Sequence, residues 1–346
     1  MSYQCCSNCF TDTSVKQYIG RKSTTGDCSF CHAEDVLVID PKDLSDQFEL
    51  ILCCVEESNN GYHLSKIYTD DLKTISDSVI NKEALIDSIL DNISIGKKYE
   101  LIESLNGFQS EWQDLKHDLI NKNRFFPNTA LYGRIFANRM QEQDITNESS
   151  AFLRTISHLE RDIRTSKKYY RARISNNELS ASDMGAPLVG MASAGRANPA
   201  GIPYLYLAES EEICCHEVRP SNGAKIFISE VEIISNLKLI DLSNPKQKLP
   251  LLQFEEEELE LVIKSLHLLE QFSNELSVPV LPENSHLEYI PTQFVCEYLR
   301  NIGPYHGLIF NSSYGVGKNI VLFSDDKVLI HEPKSKRVQS VMVKFG

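Results

Sequence analysis

Two groups of residues in this 346-residue chain have the types and spacing to do chemistry. The first is made of cysteines. Of ten in all, five (Cys5, Cys6, Cys9, Cys28 and Cys31) fall within the first 31 residues. Cys6 with Cys9 and Cys28 with Cys31 form two CxxC pairs separated by 18 residues. In that arrangement two tight knuckles present four thiolates to one tetrahedral Zn²⁺. His32 and Cys5 are substitute ligands; a redox dithiol or unliganded core cysteines are the competing readings. Four protein ligands leave no open position for a hydrolytic water, so the expected zinc is structural and not catalytic. Cys53-Cys54 and Cys214-Cys215 are adjacent pairs, poorly spaced for a shared ion, and with the isolated Cys296 they read as small buried hydrophobes.

The second group lies in the C-terminal half. Tyr170-Arg171-Ala172-Arg173 and Gly195-Arg196-Ala197-Asn198-Pro199-Ala200-Gly201 each set arginine close to turn residues. A guanidinium offers a rigid donor fork suited to pyrophosphate, and Gly/Pro punctuation lets backbone approach a ligand. A surface ion pair is the commoner fate of an isolated arginine. From Glu209 to Glu217 the pattern predicts a helix capped by Ser210, with acids in its first turn. Glu217 falls near its far end beside Cys214 and Val218, where a carboxylate is costly to bury unless paired or used; an ordinary salt-bridged helix residue is the alternative. Ile309 to Asn319 collects hydroxyls and glycines but is no P-loop, since Ser312 stands where the pattern needs glycine and Asn319 where it needs a hydroxyl.

The elements that must position these residues read as an α+β chain. Val36–Ile39 is expected as a short strand leaving through Asp40-Pro41. Apolar stripes at Leu44, Phe48, Ile51, Leu52 and Val55, at Leu85, Ile86, Ile89, Leu90 and Ile93, and at Trp112, Leu115, Leu119 and Ile120 predict helices, the first stopped by Asn59-Asn60-Gly61. Beyond about residue 165 strands are expected at 204–207, 225–234, 237–242, 307–310 and 319–323, with helices at 255–273 and 292–300. The resulting division is a zinc ribbon over 1–39, a helical domain over 40–165 and a mixed α/β domain over 166–346. Lys plus Arg less Asp plus Glu is 35 − 48 = −13, which argues against broad nucleic-acid binding while allowing a local basic pocket. With no apolar run near the about 18 residues a membrane span needs and no leader-like start, the expectation is a cytoplasmic protein without a membrane partner.

The ordered strings 170–173, 195–201, Tyr204-Leu205-Tyr206-Leu207-Ala208-Glu209-Ser210, Glu217-Val218-Arg219-Pro220, and 307–313 followed by Gly317-Lys318-Asn319 and Val321-Leu322-Phe323 resemble the RES-domain family. The helical part more loosely resembles the HEPN-like domain found before some RES domains. Arg154 and His158 have only three residues between them, which does not fit the HEPN ribonuclease motif. The RES resemblance implies a fold related to ADP-ribosyltransferases and cleavage of the nicotinamide–ribose bond of NAD⁺, with water or phosphate as second substrate, by a toxin or defence effector. Its expected partner is an antitoxin or other regulatory protein, and a homo-oligomer is compatible with it. By position it implies Arg171 and Arg196 as ligands of the pyrophosphate, Tyr206 packed against a ring, Glu217 as the catalytic carboxylate and Ser312 as a hydrogen-bond donor; Arg173 and Ser313 are the neighbours that could exchange roles. ADP-ribose transfer to a macromolecule and a catalytically silent, zinc-ribbon interaction protein are the alternatives.

Overall fold

Alternating apolar residues make the strands, and the tertiary contacts decide which of them share a sheet. The structure, a computed structural model, describes residues 3–341 apart from 23, 92, 94, 138–145, 279 and 281–283. The chain divides into two compact units. Among the described residues no helix is long and apolar enough to cross a membrane.

The first unit comprises Met1–Leu115, Thr129–Leu159 and Asn244–Glu270. Strands β1 (Cys5–Cys6), β2 (Thr24–Gly26) and β3 (Val36–Ile39) form an antiparallel sheet in the order β1-β3-β2. A helix, Thr13–Lys22, stands between the two CxxC pairs, a feature outside the ribbon expectation. The Asp12 carboxylate caps it by accepting from the Ser14 amide at 2.9 Å, and its second oxygen accepts from the Leu252 amide at 3.1 Å. One apolar core joins Phe10, Val15 and Ile19 to Phe48, Ile51, Tyr68 and Leu85, and to Leu252, Leu259, Val262 and Leu266. That core runs across the boundary expected after residue 39 and takes in 244–270, a segment of the stretch read as the C-terminal domain. The reason is burial: the apolar residues of both segments pack into this one cluster.

The described part of 40–165 is mainly helical, as expected, but it also contains a strand pair that the sequence reading lacks. The stripe from Leu44 buries Leu44, Phe48 and Ile51 on short consecutive helical segments, Pro41–Leu44, Ser45–Glu49 and Leu50–Cys54. The chain then extends as β4 (Val55–Tyr62), paired antiparallel with β5 (Tyr99–Leu101). Asn59-Asn60-Gly61, read as a helix stop, lies within β4, where the register shifts between Glu57 and Tyr62. A Cβ on Gly61 would lie 2.4 Å from the Tyr99 carbonyl oxygen, so glycine is what lets the two backbones approach.

The second unit comprises Lys116–Asn128, Glu160–Ser243 and Gln271–Gly346. Its sheet contains β6 (Glu160–Ile163), β7 (Lys168–Ile174), β8 (Leu205–Ala208), β9 (Lys225–Ile233), β10 (Leu237–Asp241), β11 (Gly307–Asn311), β12 (Lys318–Leu322), β13 (Val328–Ile330) and β14 (Lys334–Arg337). The order is β13-β9-β7-β8-β12-β11-β10-β6, with β14 also on β9; β10 and β11 are parallel and the other pairs antiparallel. Five of these strands fall where the sequence predicts them. Strands β6, β7, β13 and β14 lie outside the expected set, and with β6 the chain enters this sheet at Glu160.

Successive strand side chains point to opposite faces. Tyr169, Leu205, Leu207, Val231, Ile309, Ile320 and Leu322 share one buried cluster. Ala172, Ala208, Ile226 and Ile228 form another with Ile213 and Cys214 of the helix Glu211–Glu217. Gly307 holds β11 tightly against β12: a Cβ there would lie 2.1 Å from the Val321 carbonyl oxygen. Gly307→Ala must therefore push these central strands apart, and we expect it to lower unfolding stability by about 2 kcal/mol or more in urea titration. A loss below about 0.5 kcal/mol would show that this contact does not constrain the sheet.

Candidate active site and cysteine cluster

The sheet register sets a row of residues under a cavity. Tyr170 pairs with Ala208, Ala208 with Asn319, and Asn319 with Phe310, so four adjacent strands present one residue each. All four line a cavity of about 390 Å³, together with Arg171, Arg196, Tyr206, Glu217, Arg219 and Tyr289 among others. This size suits a small organic ligand.

Glu217 occupies the last turn of its helix, which Ser210 caps by accepting from the Ile213 amide at 3.2 Å. Three separate stretches of the chain meet its carboxylate. Asn319 Nδ2 donates to Oε1 at 2.6 Å and Ser312 Oγ donates to the same oxygen at 3.1 Å. Arg196 Nη2 reaches Oε2 at 3.4 Å. Oε1 thus carries two neutral donors, while Oε2 has one long contact with a cation. Donors of this kind fix the direction of a carboxylate.

Arg196 is tied down as well. Its Nη1 donates to the carbonyls of Leu276 (3.2 Å) and Ser277 (3.1 Å). Its own carbonyl accepts from Thr292 Oγ1 at 2.6 Å, and the Gly195 carbonyl accepts from Gln293 Nε2 at 2.8 Å. Both donors belong to the helix Ile290–Asn301. The loop is braced from within by Asn198, whose Nδ2 donates to the carbonyls of Ser193, Pro199 and Ile202. Tyr206 completes the brace: its hydroxyl donates to Asn198 Oδ1 at 2.8 Å and accepts from the Ala197 amide at 3.0 Å. Burial pushes this phenol well above its ordinary pKa, so it stays a neutral donor. Gly195 is required here, because a Cβ would lie 2.5 Å from Asn198 Oδ1 and 2.6 Å from the Tyr206 hydroxyl.

Arg171 donates through Nη1 to the Tyr206 carbonyl at 3.0 Å, and its buried Nε has no hydrogen-bond partner among the described residues. Burial, with the Arg173 guanidinium adding to it, pulls Arg171 down to about 10, which leaves it charged at neutral pH. A largely buried cation that lines a cavity fits an anionic ligand. Arg173 turns instead to the Gly185 carbonyl at 2.7 Å.

The structure therefore brings Glu217, Ser312 and Arg196 into contact and places Arg171 and Tyr206 in the same cavity wall. Sequence reasoning does not single out Asn319, Asn198, Thr292, Gln293 or Tyr289 as site residues. A neutral amide in a strand has no titratable signature, and only the register reveals that Asn319 faces a carboxylate.

A family model described as RES domain matches residues 168–343, just over half of the chain. The chain belongs to the RES-domain family. The match contains every residue of this cavity and starts at the first residue of β7. No curated protein matches the chain. A chain of the M. tuberculosis MbcT–MbcA toxin–antitoxin complex is similar in structure, with 15% identity, 55% of this chain and 93% of that chain covered and a TM-score of 0.31, too slight a likeness to bear on fold or function.

Outside the RES domain, the four expected cysteines converge. The sulfurs of Cys6, Cys9, Cys28 and Cys31 all lie within 4.8 Å of one another, with Cys6 to Cys31 at 3.5 Å and Cys9 to Cys28 at 3.4 Å. Sulfurs about 3.8 Å apart surround a tetrahedral ion with metal–sulfur bonds of about 2.3 Å, so this set could hold a metal ion. Cys5 and His32 do not join it.

The Tyr206 brace is directly testable. Tyr206→Phe strands the Ala197 amide and Asn198 Oδ1, so we expect a loss of about 1–3 kcal/mol and faster hydrogen exchange at Ala197. Unchanged exchange at Ala197 would mean that the hydroxyl does not hold the loop.

Proposed function

We propose that this RES domain cleaves the nicotinamide–ribose bond of NAD⁺, and that it serves as a toxin or defence effector restrained by a partner protein. The observation that carries the reaction is the Glu217 carboxylate, aimed into the cavity by Asn319 and Ser312 on one oxygen and Arg196 on the other. Membership of the RES-domain family supports the substrate and the effector role.

The chemistry follows from charge. The pyridinium nitrogen of NAD⁺ is cationic and departs with the bonding pair as neutral nicotinamide, so no general acid is needed. Positive charge develops on the ribose, and a fixed carboxylate stabilises it. Oε2 of Glu217, with only the long Arg196 contact, is the oxygen available to the ribose. Water or phosphate then bonds to the anomeric carbon; a proton lost from attacking water passes to Glu217 or to solvent. Arg171 supplies charge for the pyrophosphate, and the rings of Tyr170, Tyr289 and Phe310 supply apolar walls for the bases.

Purified chain freed of any co-purifying inhibitor should release nicotinamide from NAD⁺. Glu217→Gln, which keeps the shape and loses the charge, should lower the rate by about 100-fold or more. Equal turnover by that variant would remove Glu217 from the reaction. Products separate the alternatives: free ADP-ribose for hydrolysis, its phosphorylated form for phosphorolysis, and a labelled macromolecule for transfer. Because Arg171 loses its charge as pH rises through about 10, the apparent KM for NAD⁺ should climb on that alkaline limb.

For the cysteine cluster we propose a structural zinc ion held by Cys6, Cys9, Cys28 and Cys31, closed to substrate by its four protein ligands. Metal analysis should find one zinc per chain, and chelation should unfold the N-terminal unit. Metal-free protein with unchanged stability would sink this reading.

A further inference from the structure

We infer that Arg219 forms a second phosphate-binding position at the rim of the cavity, distinct from Arg171 on its wall. The inference deepens the proposed reading and rests on it for the identity of the phosphate-bearing ligand.

Four charged side chains line the cavity: Arg171, Arg196, Arg219 and Glu217, a balance of 3 − 1 = +2 inside a chain of net charge −13. The three arginines are not equivalent. Arg196 spends Nη1 on two backbone carbonyls and Nη2 on Glu217, so it is a positioning residue with little left for a ligand. Arg171 has partly unmet donors but sits on the buried side of the cavity. Arg219 is exposed and makes one side-chain hydrogen bond among the described residues, from Nε to the Tyr314 hydroxyl at 2.9 Å. Its two terminal nitrogens have no hydrogen-bond partner among the described residues and can form a fork.

The backbone at Arg219 points the same way. With φ +48°, it occupies the left-handed position that follows the helix Glu211–Glu217, its amide bonding to the His216 carbonyl at 3.0 Å. Glycine is the residue suited to that position; a long side chain is strained there and tends to persist where it has a use. The side chain is also oriented. Tyr314, which receives the Nε hydrogen bond, stacks on the His216 ring with centroids 6.3 Å apart and planes 14° from parallel. A left-handed turn closed by Pro220 and a tyrosine anchor thus hold the guanidinium at the cavity, its forked end without a protein partner among the described residues. A tetrahedral dianion or a pyrophosphate matches that fork.

The test uses two variants that tolerate the left-handed turn while removing the charge, Arg219→Gly and Arg219→Asn. Isothermal titration with inorganic pyrophosphate and, separately, inorganic phosphate should show binding to the parent chain and about tenfold weaker binding to both variants. Their melting temperatures should be no lower than the parent's, since the strain is relieved. Steady-state kinetics then distinguish the source of the phosphate: a raised KM for NAD⁺ alone marks the dinucleotide, and a raised KM for phosphate alone marks the acceptor. Anion binding equal in parent and variants, or absent from the parent, overturns the inference whatever the reaction. Anion binding that the variants weaken, in a parent chain that never cleaves NAD⁺, overturns the proposed reaction and leaves the phosphate site standing.

Discussion

A half-buried carboxylate needs donors, and Glu217 receives them from three places far apart in sequence: the loop at Arg196, the end of β11 at Ser312 and the start of β12 at Asn319. Taking a charge out of water costs several kcal/mol unless hydrogen bonds replace the solvent. The site therefore exists only when the helix carrying Glu217, the β11–β12 register and the 193–202 loop are all in place together. The close approach at Gly307 sets the register. Asn198 and Tyr206 set the loop. Ile213 and Cys214, packed on Ala172, Ala208, Ile226 and Ile228, set the helix.

That dependence explains a division of labour among residues of the same type. Arg196 and Arg171 look alike as arginines beside turns. Arg196 is consumed by backbone carbonyls and a carboxylate, while Arg171 lines the cavity with one side-chain hydrogen bond, to the Tyr206 carbonyl, among the described residues. The overall charge of −13 hides the local excess of arginine, because it sums every charged residue of the chain while the cavity is lined by three arginines and one glutamate.

The legible regions of the fold are those with local signals. Strands β8 to β12 are dense in Ile, Val, Leu, Tyr and Phe, and Ser210 followed by two glutamates marks a helix start in any context. Strand β7, Lys-Tyr-Tyr-Arg-Ala-Arg-Ile, is opaque because its arginines stand where a strand pattern would want aliphatic residues. The tertiary pairing with β8 and β9 makes it a strand. The Asn-Asn-Gly of β4 misleads for the opposite reason: a strong turn signal is overridden by a bulge that needs a glycine against Tyr99. The segment 244–270 gives no sign that its apolar face joins the N-terminal core, since periodicity tells that a face is buried and not against what.

By itself, the sequence determined the four-cysteine spacing, most strands of the C-terminal sheet, the helix that ends at Glu217 and the membership of that half in the RES-domain family. These depend on residues close together in the chain or on an ordered set of short motifs. Only the tertiary structure decided which oxygen of Glu217 is held, that Asn319 helps to hold it, that Arg196 is spent on positioning, and that the Arg219 side chain, at the cavity, bonds to Tyr314. Each of those depends on distances between residues as much as 102 positions apart, which strand register and loop closure fix and local residue pattern does not encode.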